Sequence, residues 1–246
     1  MTYHVVTEPL LDRFERQIES LVRLSIPVAS DSIGELKKGK HHVAVTFDDC
    51  YESTLDRVIP ILSKKGVPVT FFAPSAHLGK DAAWITDSDR RQFAGPIITA
   101  EKLRQISKNP LVSIGSHGIN HRRLTEMSDD DARGELSESK RTIEEIIGKK
   151  VKIFGVPYGA YHSGHIEIAK EAGYEWMFTD DFTYITGKGN EFVIGRTEVN
   201  PTDWPLEFAL KMTGAYRWHN AAIHLKRRLL QARCLNELFG ARVKTK

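Results

Sequence analysis

The sequence predicts an α/β fold in which helices cover a mostly parallel sheet, either open or closed into a barrel. Short apolar runs rich in β-branched residues alternate at least five times with amphipathic stretches of helical period. This alternation is typical of repeated strand–helix–strand units. No repeat, low-complexity tract or Pro/Gly-rich linker divides the 246 residues, a length that suits one such domain. We therefore predict one domain over residues 1–217, followed by a basic amphipathic helix over 218–246.

The predicted strands are short runs of valine, isoleucine and aromatic residues, which favour extended structure. They cover residues 2–6, 26–29, 43–47, 67–73, 111–115, 151–154 and 176–179. Their short, nearly continuous apolar character is typical of strands that are buried on both faces of a parallel sheet. Residues 196–204 are predicted to form a return strand and a loop.

Between the strands, apolar residues recur at the spacing of one helix face. The predicted helices cover residues 10–24, 51–65, 99–108, 129–147, 166–172 and 206–213. Gly66 and Gly173 follow two of these stretches, where glycine commonly ends a helix. Residues 75–98 contain Trp84 and form a loop long enough to indicate a functional segment.

Charge and cysteine content exclude several classes of protein. The 35 basic and 32 acidic residues leave a formal charge of only +3, so nothing indicates nucleic-acid binding. Two cysteines, Cys50 and Cys234, are too few for a disulfide framework. The first residues lack a signal-peptide pattern, and no apolar run approaches the ~20 residues of a membrane span. We expect a cytoplasmic protein.

Basic residues concentrate near the end of the chain. In residues 218–246, leucines and alanines at helical spacing are interrupted by Lys226, Arg227, Arg228 and Arg233. We interpret this stretch as a helix that caps the domain and exposes a solvated basic face. The alternative is an amphipathic helix resting on an anionic membrane surface, which would place the protein at the inner face of the membrane.

Two adjacent aspartates follow the strand at 43–47. Ligands and catalytic groups collect at the carboxyl ends of parallel strands. Because neighbouring side chains of an extended chain point to opposite sides, Asp48 and Asp49 can differ in purpose. One can hold a cation while the other accepts a proton. The structural alternative is an N-cap aspartate for the helix that begins near Tyr51.

Two histidines follow the strand at 111–115. His117 and His121 lie at the same predicted sheet end as the aspartates, and Gly118 permits the coiled backbone that would bring them together. A lone pair of loop histidines is usually solvated. Two imidazoles and one carboxylate at neighbouring strand ends instead indicate a catalytic metal site with positions left for water and substrate.

A third stretch, residues 154–161, follows the strand at 151–154. Pro157 restricts the backbone and Gly159 allows a tight turn. Such a turn can direct the N–H of Tyr158 towards a developing oxyanion, although a plain structural turn has the same pattern.

In this order the three stretches resemble the motifs of the polysaccharide deacetylases of carbohydrate esterase family 4. Residues 46–50 (TFDDC) resemble T-F-D-D-G. Residues 117–121 (HGINH) resemble H-[ST]-x-x-H, and residues 155–158 (GVPY) resemble R-x-P-Y. The similarity covers about residues 2–215 and implies a distorted (β/α) barrel.

The resemblance also implies roles for individual residues. Asp48 would be the general base, and Tyr158 would supply the N–H that binds the oxyanion. Asp49, His117 and His121 would hold a divalent metal ion. Zinc is the first expectation for that ion, with cobalt, nickel or manganese as alternatives.

Other residues are expected around the substrate. We place Pro157, Tyr158 and Trp84 at the bound saccharide. Asp180 and Asp181 follow the strand at 176–179 and could line the cleft, but turn-capping is the preferred interpretation.

The chain departs from the family pattern at several positions. Cys50 replaces a glycine, Gly118 replaces serine or threonine, and Gly155 replaces the arginine that braces the catalytic aspartate in the family, so Asp48 would need another partner. No late Leu-x-His supplies the general acid. Some bacterial members look circularly permuted, with Tyr-His at the end of the first strand, so we assign the general acid to His4; the alternative is a surface histidine near the terminus.

The sequence therefore predicts a metal-dependent N-deacetylase. Its substrate would be an N-acetylated amino sugar in a saccharide or in an intermediate of glycan biosynthesis. One alternative is a related metal hydrolase acting on another non-peptide C–N bond. The other is a catalytically inactive carbohydrate-binding scaffold. The absence of the third-motif arginine and of the late histidine favours this second alternative.

Overall fold

All strands of the main sheet run parallel, as the alternation of strands and helices predicts. The computed structural model describes residues 1–33, 36, 39–86, 94–181 and 191–215. The strands are β1 Thr2–Tyr3, β2 Ile26–Pro27, β3 His42–Val43, β4 Val45–Phe47, β5 Val69–Ala73, β6 Val112–Ser116, β7 Ile153–Gly155, β8 Trp176–Thr179 and β9 Val193–Gly195. Seven of them form one sheet in the order β1-β4-β5-β6-β7-β8-β9, and β2 pairs only with β3.

The sheet closes on itself through its first strand. Thr2 forms a parallel bridge with Glu198, just beyond β9. Its N–H donates to Thr197 O (2.9 Å), and its carbonyl accepts from Val199 N–H (2.9 Å). On the other edge, β1 pairs in register with β4. The expected distorted (β/α) barrel is therefore confirmed, and β1 is the strand that completes it.

Six helices of the described residues cover the barrel. They are α1 Leu11–Leu24, α2 Glu52–Lys64, α3 Ala100–Ile106, α4 Asp129–Ile147, α5 Ser163–Glu171 and α6 Pro205–Thr213. α4 has the predicted bounds because Ser128 caps its first turn and Gly148, at φ +68°, ends it. α5 begins earlier than predicted because the His162 side chain caps it.

One sequence prediction is not tested by the described residues, and another differs from the structure. The predicted helix over 218–246 lies outside the described residues. The strand β9 lies just before the return strand predicted from Arg196, so that arginine follows a strand instead of beginning one. Within the described residues, every helix is too short or too polar to cross a bilayer.

Alternate residues of each strand pack on opposite sides of the sheet. Phe71 belongs to the large cluster between the sheet and the helices. Phe72 belongs to a second cluster with Ile153, Phe178 and Ile194, which fills the inside of the barrel. A ring as large as Phe72 fits there only because the facing strands carry glycine at the nearest inward positions.

The packing around Phe72 generates a stability prediction. A Cβ at Gly115 would lie 2.5 Å from the Phe72 ring. We expect Gly115→Ala to lower the free energy of unfolding by about 1–3 kcal/mol, because the core has no room for another carbon. Urea denaturation followed by circular dichroism measures this change.

A matched control lies on α4. A Cβ at Gly134 would meet no atom within 4 Å. Gly134→Ala should raise stability by about 0.5–1 kcal/mol, because alanine is the better helix former. If both variants shifted stability equally, the Phe72 contact would not be the cause.

Candidate active site

The carboxyl ends of the strands surround a cleft of about 720 Å³. The alternation that places Phe72 and Ile194 inside the barrel continues past the strand ends. Asp48 lies two residues after inward-facing Thr46, and Arg196 lies two residues after Ile194. Asp48, an inward residue at the end of a strand, therefore lines the cleft, and Arg196 pairs with it.

Asp49 leaves the strand geometry that Asp48 keeps. Its φ is +68° and that of Cys50 is +58°, both in the left-handed region. This turns the buried Asp49 carboxylate towards the histidines, while Tyr51 Oη donates to its Oδ2 (2.8 Å). The same backbone explains why the related motif has glycine where this chain has Cys50: a side chain at positive φ costs about 1–2 kcal/mol. Asp49 is not the N-cap of α2, because Tyr51 occupies that position.

His117 is oriented by the strand next to it. Its Nδ1 lies 2.8 Å from the carbonyl oxygen of Gly155, which can only accept, so Nδ1 carries the proton. The lone pair of Nε2 then faces Asp49 Oδ1 at 3.7 Å. Burial lowers the pKa of His117 to about 4, so the imidazole is neutral at physiological pH. A neutral imidazole with its second nitrogen hydrogen-bonded is the usual form of a metal-binding histidine.

His121 completes the cluster from the other end of the loop. Its φ is +52°, and its Nε2 lies 3.1 Å from Asp49 Oδ1. The Trp84 ring stacks on it with centroids 3.9 Å apart, and the Tyr158 ring meets it edge-on at 4.8 Å. These aromatic contacts restrict the imidazole from both sides.

The donor set fits a divalent cation. One ligand atom each from Asp49, His117 and His121 lies within 4.8 Å of the others, and all three side chains are buried. The neighbours of Asp49 Oδ1 are the two imidazole nitrogens, and no other group of the described residues donates a hydrogen bond to it. A buried carboxylate oxygen facing an imidazole lone pair is unfavourable unless positive charge lies between them. The structure thus brings together the three residues predicted as metal ligands.

Asp48 has a partner that the sequence reasoning missed. Arg196 Nη1 and Nη2 donate to its two carboxylate oxygens at 2.6 and 2.9 Å, and both residues are buried. Arg196 Nη1 also lies 3.3 Å from the hydroxyls of Thr2 and Thr46. Burial alone would raise the pKa of Asp48, but Arg196, His117 and His4 hold it well below its usual range. Asp48 is therefore ionised and fixed in orientation.

The packing of Phe72 explains why this arginine comes from the segment after β9. A Cβ at Gly155, where the third motif has arginine, would lie 2.8 Å from the Phe72 ring. The guanidinium of Arg196 instead lies over the same ring, 5.1 Å from its centre. Phe72 excludes a side chain on β7 and supports the one that replaces it.

Tyr158 occupies the turn predicted for it, with φ +58°. The N–H groups of Gly159 and Ala160 donate to Val156 O (3.0 Å) and Pro157 O (3.4 Å). No backbone carbonyl in the described part of the chain accepts the N–H of Tyr158. Its ring, 43% exposed, lines the cleft. The geometry leaves this N–H free to donate to a ligand.

His4 lies next to Asp48. Its Nε2 is 3.7 Å from Asp48 Oδ2, and its Nδ1 is 3.8 Å from Glu198 Oε1. The side chain is 42% exposed and lines the cleft. The closure of the barrel through Thr2 places His4 there.

Trp84 lines the cleft as predicted, but Pro157, which we also placed at the bound saccharide, does not. Pro157 is buried beneath the Tyr158 turn. The interpretation of Asp180 as a turn cap is wrong, because its carboxylate lines the cleft and accepts from Arg196 Nη2 (3.1 Å). Asp181 accepts from Tyr161 Oη (3.2 Å).

Arg196 and Glu198 carry weak signals in the sequence. They lie two residues apart in the segment after β9. Together with inward-facing Ile194 they occupy every second position, so they point to the same side of the chain. That alternation alone could have identified Arg196 as an inward cation. Its pairing with Asp48, 148 residues earlier, required the closed barrel.

Comparison with known proteins agrees with this geometry. The sequence profile described as "Polysaccharide deacetylase" matches residues 35–177. That range contains the aspartates, the histidine pair and Tyr158, but neither His4 nor Arg196. The poly-β-1,6-N-acetyl-D-glucosamine N-deacetylase of Staphylococcus aureus (strain MSSA476) is 25% identical over 171 residues, which are 65% of this chain and 56% of that protein. The chain spans about half the length of the curated relatives it matches.

Solved structures show the same fold. IcaB from Ammonifex degensii superposes with a TM-score of 0.72 at 20% identity, covering 86% of this chain and 95% of that one. The Streptococcus pyogenes deacetylase PplD, solved with acetate, has a TM-score of 0.71 at 18% identity and covers 86% of this chain and 96% of its own.

The Arg196–Asp48 geometry generates a kinetic prediction. Arg196→Lys keeps the positive charge but loses the two parallel hydrogen bonds, so Asp48 is free to rotate. We expect kcat of a reaction in which Asp48 accepts a proton to fall about 10²-fold, the usual cost of misplacing a reacting group. The control is Arg104→Lys, which changes an exposed pair with Glu101. An active Arg196→Lys enzyme with unchanged kcat would show that Asp48 does not need this brace.

Proposed function

We propose that this chain, which belongs to the polysaccharide deacetylase family, is a divalent-metal-dependent N-deacetylase that removes acetyl groups from N-acetylated amino sugars in a saccharide. The observation that carries the proposal is the buried Asp48–Arg196 pair beside the cluster of Asp49, His117 and His121. A binding module would gain nothing from an oriented, ionised carboxylate that is not itself a metal ligand.

Asp48 acts as the general base. Each of its oxygens accepts one hydrogen bond from Arg196 and keeps a further lone pair for the proton of an attacking water. Asp49, His117 and His121 would hold the metal ion, which would supply positive charge to polarise the scissile carbonyl. The proton ends on Asp48, and the carbonyl oxygen gains negative charge.

The N–H of Tyr158 donates to that developing oxyanion. The left-handed backbone at Tyr158 and the hydrogen bonds of its neighbours fix the direction of this N–H before substrate binds. Preorganised donors of this kind stabilise transition-state charge because they need no reorganisation. The Trp84 ring stacks on His121 and the Tyr158 ring meets it edge-on, and both side chains line the cleft, where they can pack on a sugar.

His4 protonates the leaving amine. It lies on the Asp48 side of the cleft, and Glu198 lies beside its other nitrogen. A carboxylate next to one ring nitrogen orients the imidazole. When the C–N bond breaks, the amine takes the proton from His4, and acetate and a free amino sugar leave.

The inactive-scaffold alternative loses its main support. It rested on the missing arginine of the third motif and on the missing late histidine. Arg196 makes the bracing contact that Gly155 lacks, and we propose His4 in place of the late histidine. A hydrolase of another non-peptide C–N bond remains an outcome of the substrate tests below.

The finer features of the proposal come from the sequence and from relatives. Zinc is the proposed metal, because two imidazoles and one carboxylate are a common zinc donor set. The S. aureus relative is named for poly-β-1,6-N-acetyl-D-glucosamine, so we propose a polymer or glycan intermediate of N-acetylglucosamine type as substrate. A cytoplasmic location and membrane contact through 218–246 stay predictions that cell fractionation tests.

The role of Asp48 predicts the behaviour of Asp48→Asn. Acetate release from N-acetyl amino sugars and their oligomers should fall about 10²–10⁴-fold, the contribution of a general base. Metal content, measured by elemental analysis, should stay at the wild-type level, because Asp48 is not a ligand. The control is Asp181→Asn, which alters an exposed carboxylate near the cleft. Loss of metal together with activity would instead make Asp48 a ligand.

The role of His4 predicts a dependence on the leaving group. His4→Ala should lower kcat for N-acetyl substrates by about 10²-fold or more, because an amine must be protonated as it leaves. An activated aryl acetate needs no such proton and should be hydrolysed at the wild-type rate. Unchanged turnover of the amide would show that His4 is a surface histidine.

A further inference from the structure

We propose that Glu135 is the positioning residue that holds the metal-binding loop 117–121, and through it His121, in the ligating conformation. The inference rests on the metal site of the proposed function and adds a residue from α4 that touches neither substrate nor metal. The inference has two bases. The buried carboxylate of Glu135 accepts hydrogen bonds from the loop backbone, and it lies where a Cβ at position 118 would be.

Glu135 binds two consecutive N–H groups of the loop. Its Oε1 accepts from Ile119 N–H (2.7 Å) and from Asn120 N–H (2.6 Å), and its Oε2 lies 3.3 Å from Asn120 Nδ2. The side chain is only 6% exposed. A carboxylate that accepts hydrogen bonds from successive backbone N–H groups fixes the conformation of the segment that donates them.

The charge of Glu135 has no other evident use. No ion pair joins it to a basic side chain within the described ranges. A buried carboxylate without a cation is costly unless hydrogen bonds replace its hydration. Here the loop N–H groups do so, which couples the fold of the loop to the presence of this carboxylate.

The rest of the loop is held by hydrogen bonds that involve α4 and the segment after β5. Gly118 N–H donates to Ser116 Oγ (3.2 Å), and Ser116 Oγ lies 2.8 Å from the hydroxyl of Ser139, one turn after Glu135. The carbonyls of Gly118 and Ile119 accept from the segment after β5. The loop needs this support because Gly118, at φ +78°, and His121, at +52°, are both left-handed.

Gly118 and Glu135 depend on one another. A Cβ at position 118 would lie 2.9 Å from Glu135 Oε1, closer than real contacts allow. Position 118, where the resembling motif has serine or threonine, is glycine in this chain, and the carboxylate of Glu135 lies in the space that a Cβ would need. A side chain at 118 must therefore displace the carboxylate, and removing the carboxylate makes room for a side chain.

The test measures metal affinity of the metal-free protein. Co²⁺ and Zn²⁺ dissociation constants are obtained by competition with a chelator for wild type, Glu135→Ala, Glu135→Gln and Glu138→Ala. We expect Glu135→Ala to bind metal 10–100-fold more weakly, the usual effect of losing a residue that supports a ligand, with Glu135→Gln between it and wild type. Glu138 is exposed on the same helix and should have no effect.

A second arm separates positioning from general destabilisation. Gly118→Ala should weaken metal binding in the wild type, but much less in the Glu135→Ala background, because the clash is then absent. The strain from positive φ is equal in both backgrounds and cancels in this cycle. A folded Glu135→Ala protein with wild-type affinity, or strictly additive effects, would overturn the proposal. Should Glu135→Ala not fold, the same cycle with Glu135→Asp decides the question, because the shorter side chain also withdraws from the space at position 118.

Acetate release by wild type is measured in the same series. If wild type binds no divalent metal, both the metal site and the role of Glu135 are wrong. If it binds metal but releases no acetate from any substrate, the proposed function is wrong, while the affinities still decide the role of Glu135.

Discussion

The buried pair of Arg196 and Asp48 is the interaction on which the site and the barrel both depend. A carboxylate as buried as Asp48 is tolerated only with a matched cation and further hydrogen bonds. Arg196 supplies both, and its remaining contacts reach Thr2, Thr46 and Asp180. These residues belong to β1, to β4 and to the end of β8, so one guanidinium connects strands that meet only because the sheet is closed.

Around this pair, several residues adopt backbone conformations that side chains usually avoid. Asp49, Cys50, His121 and Tyr158 all have positive φ, and three of them carry groups assigned to the metal or the oxyanion. Strain of this kind persists only where surrounding contacts impose it. Tyr51 holds Asp49, Glu135 holds the loop before His121, and the turn hydrogen bonds hold Tyr158. The supporting contacts are therefore as much a part of the site as the ligands.

Much of the site was open to prediction from local sequence. The strand before Asp48, the glycine between His117 and His121 and the proline before Tyr158 are short-range features, and each marks the end of a strand. Their order along the chain carries the family resemblance that the profile match confirms. The sequence also indicated that Asp48 would need a new partner, because it lacks the arginine of the third motif.

The identity of that partner was beyond local reasoning. Position 155 cannot carry an arginine because of Phe72, a residue of another strand, and Arg196 comes from a third. The role of Asp180 also depends on a residue distant in sequence, because the cation that its carboxylate binds is Arg196. Glu135 resembles any other acid of an amphipathic helix until the loop it binds is in place.

The sequence by itself determined the alternation of strands and helices, the strand ends at which polar residues collect, and the three groups suited to hold a metal. These follow from periodicity and backbone preference, which act over a few residues. The tertiary structure alone decided that Arg196 braces Asp48, that Glu198 flanks His4 and that Glu135 supports the histidine loop. Each of these depends on which strands and helices become neighbours when the sheet closes, and no local pattern of side chains encodes that closure.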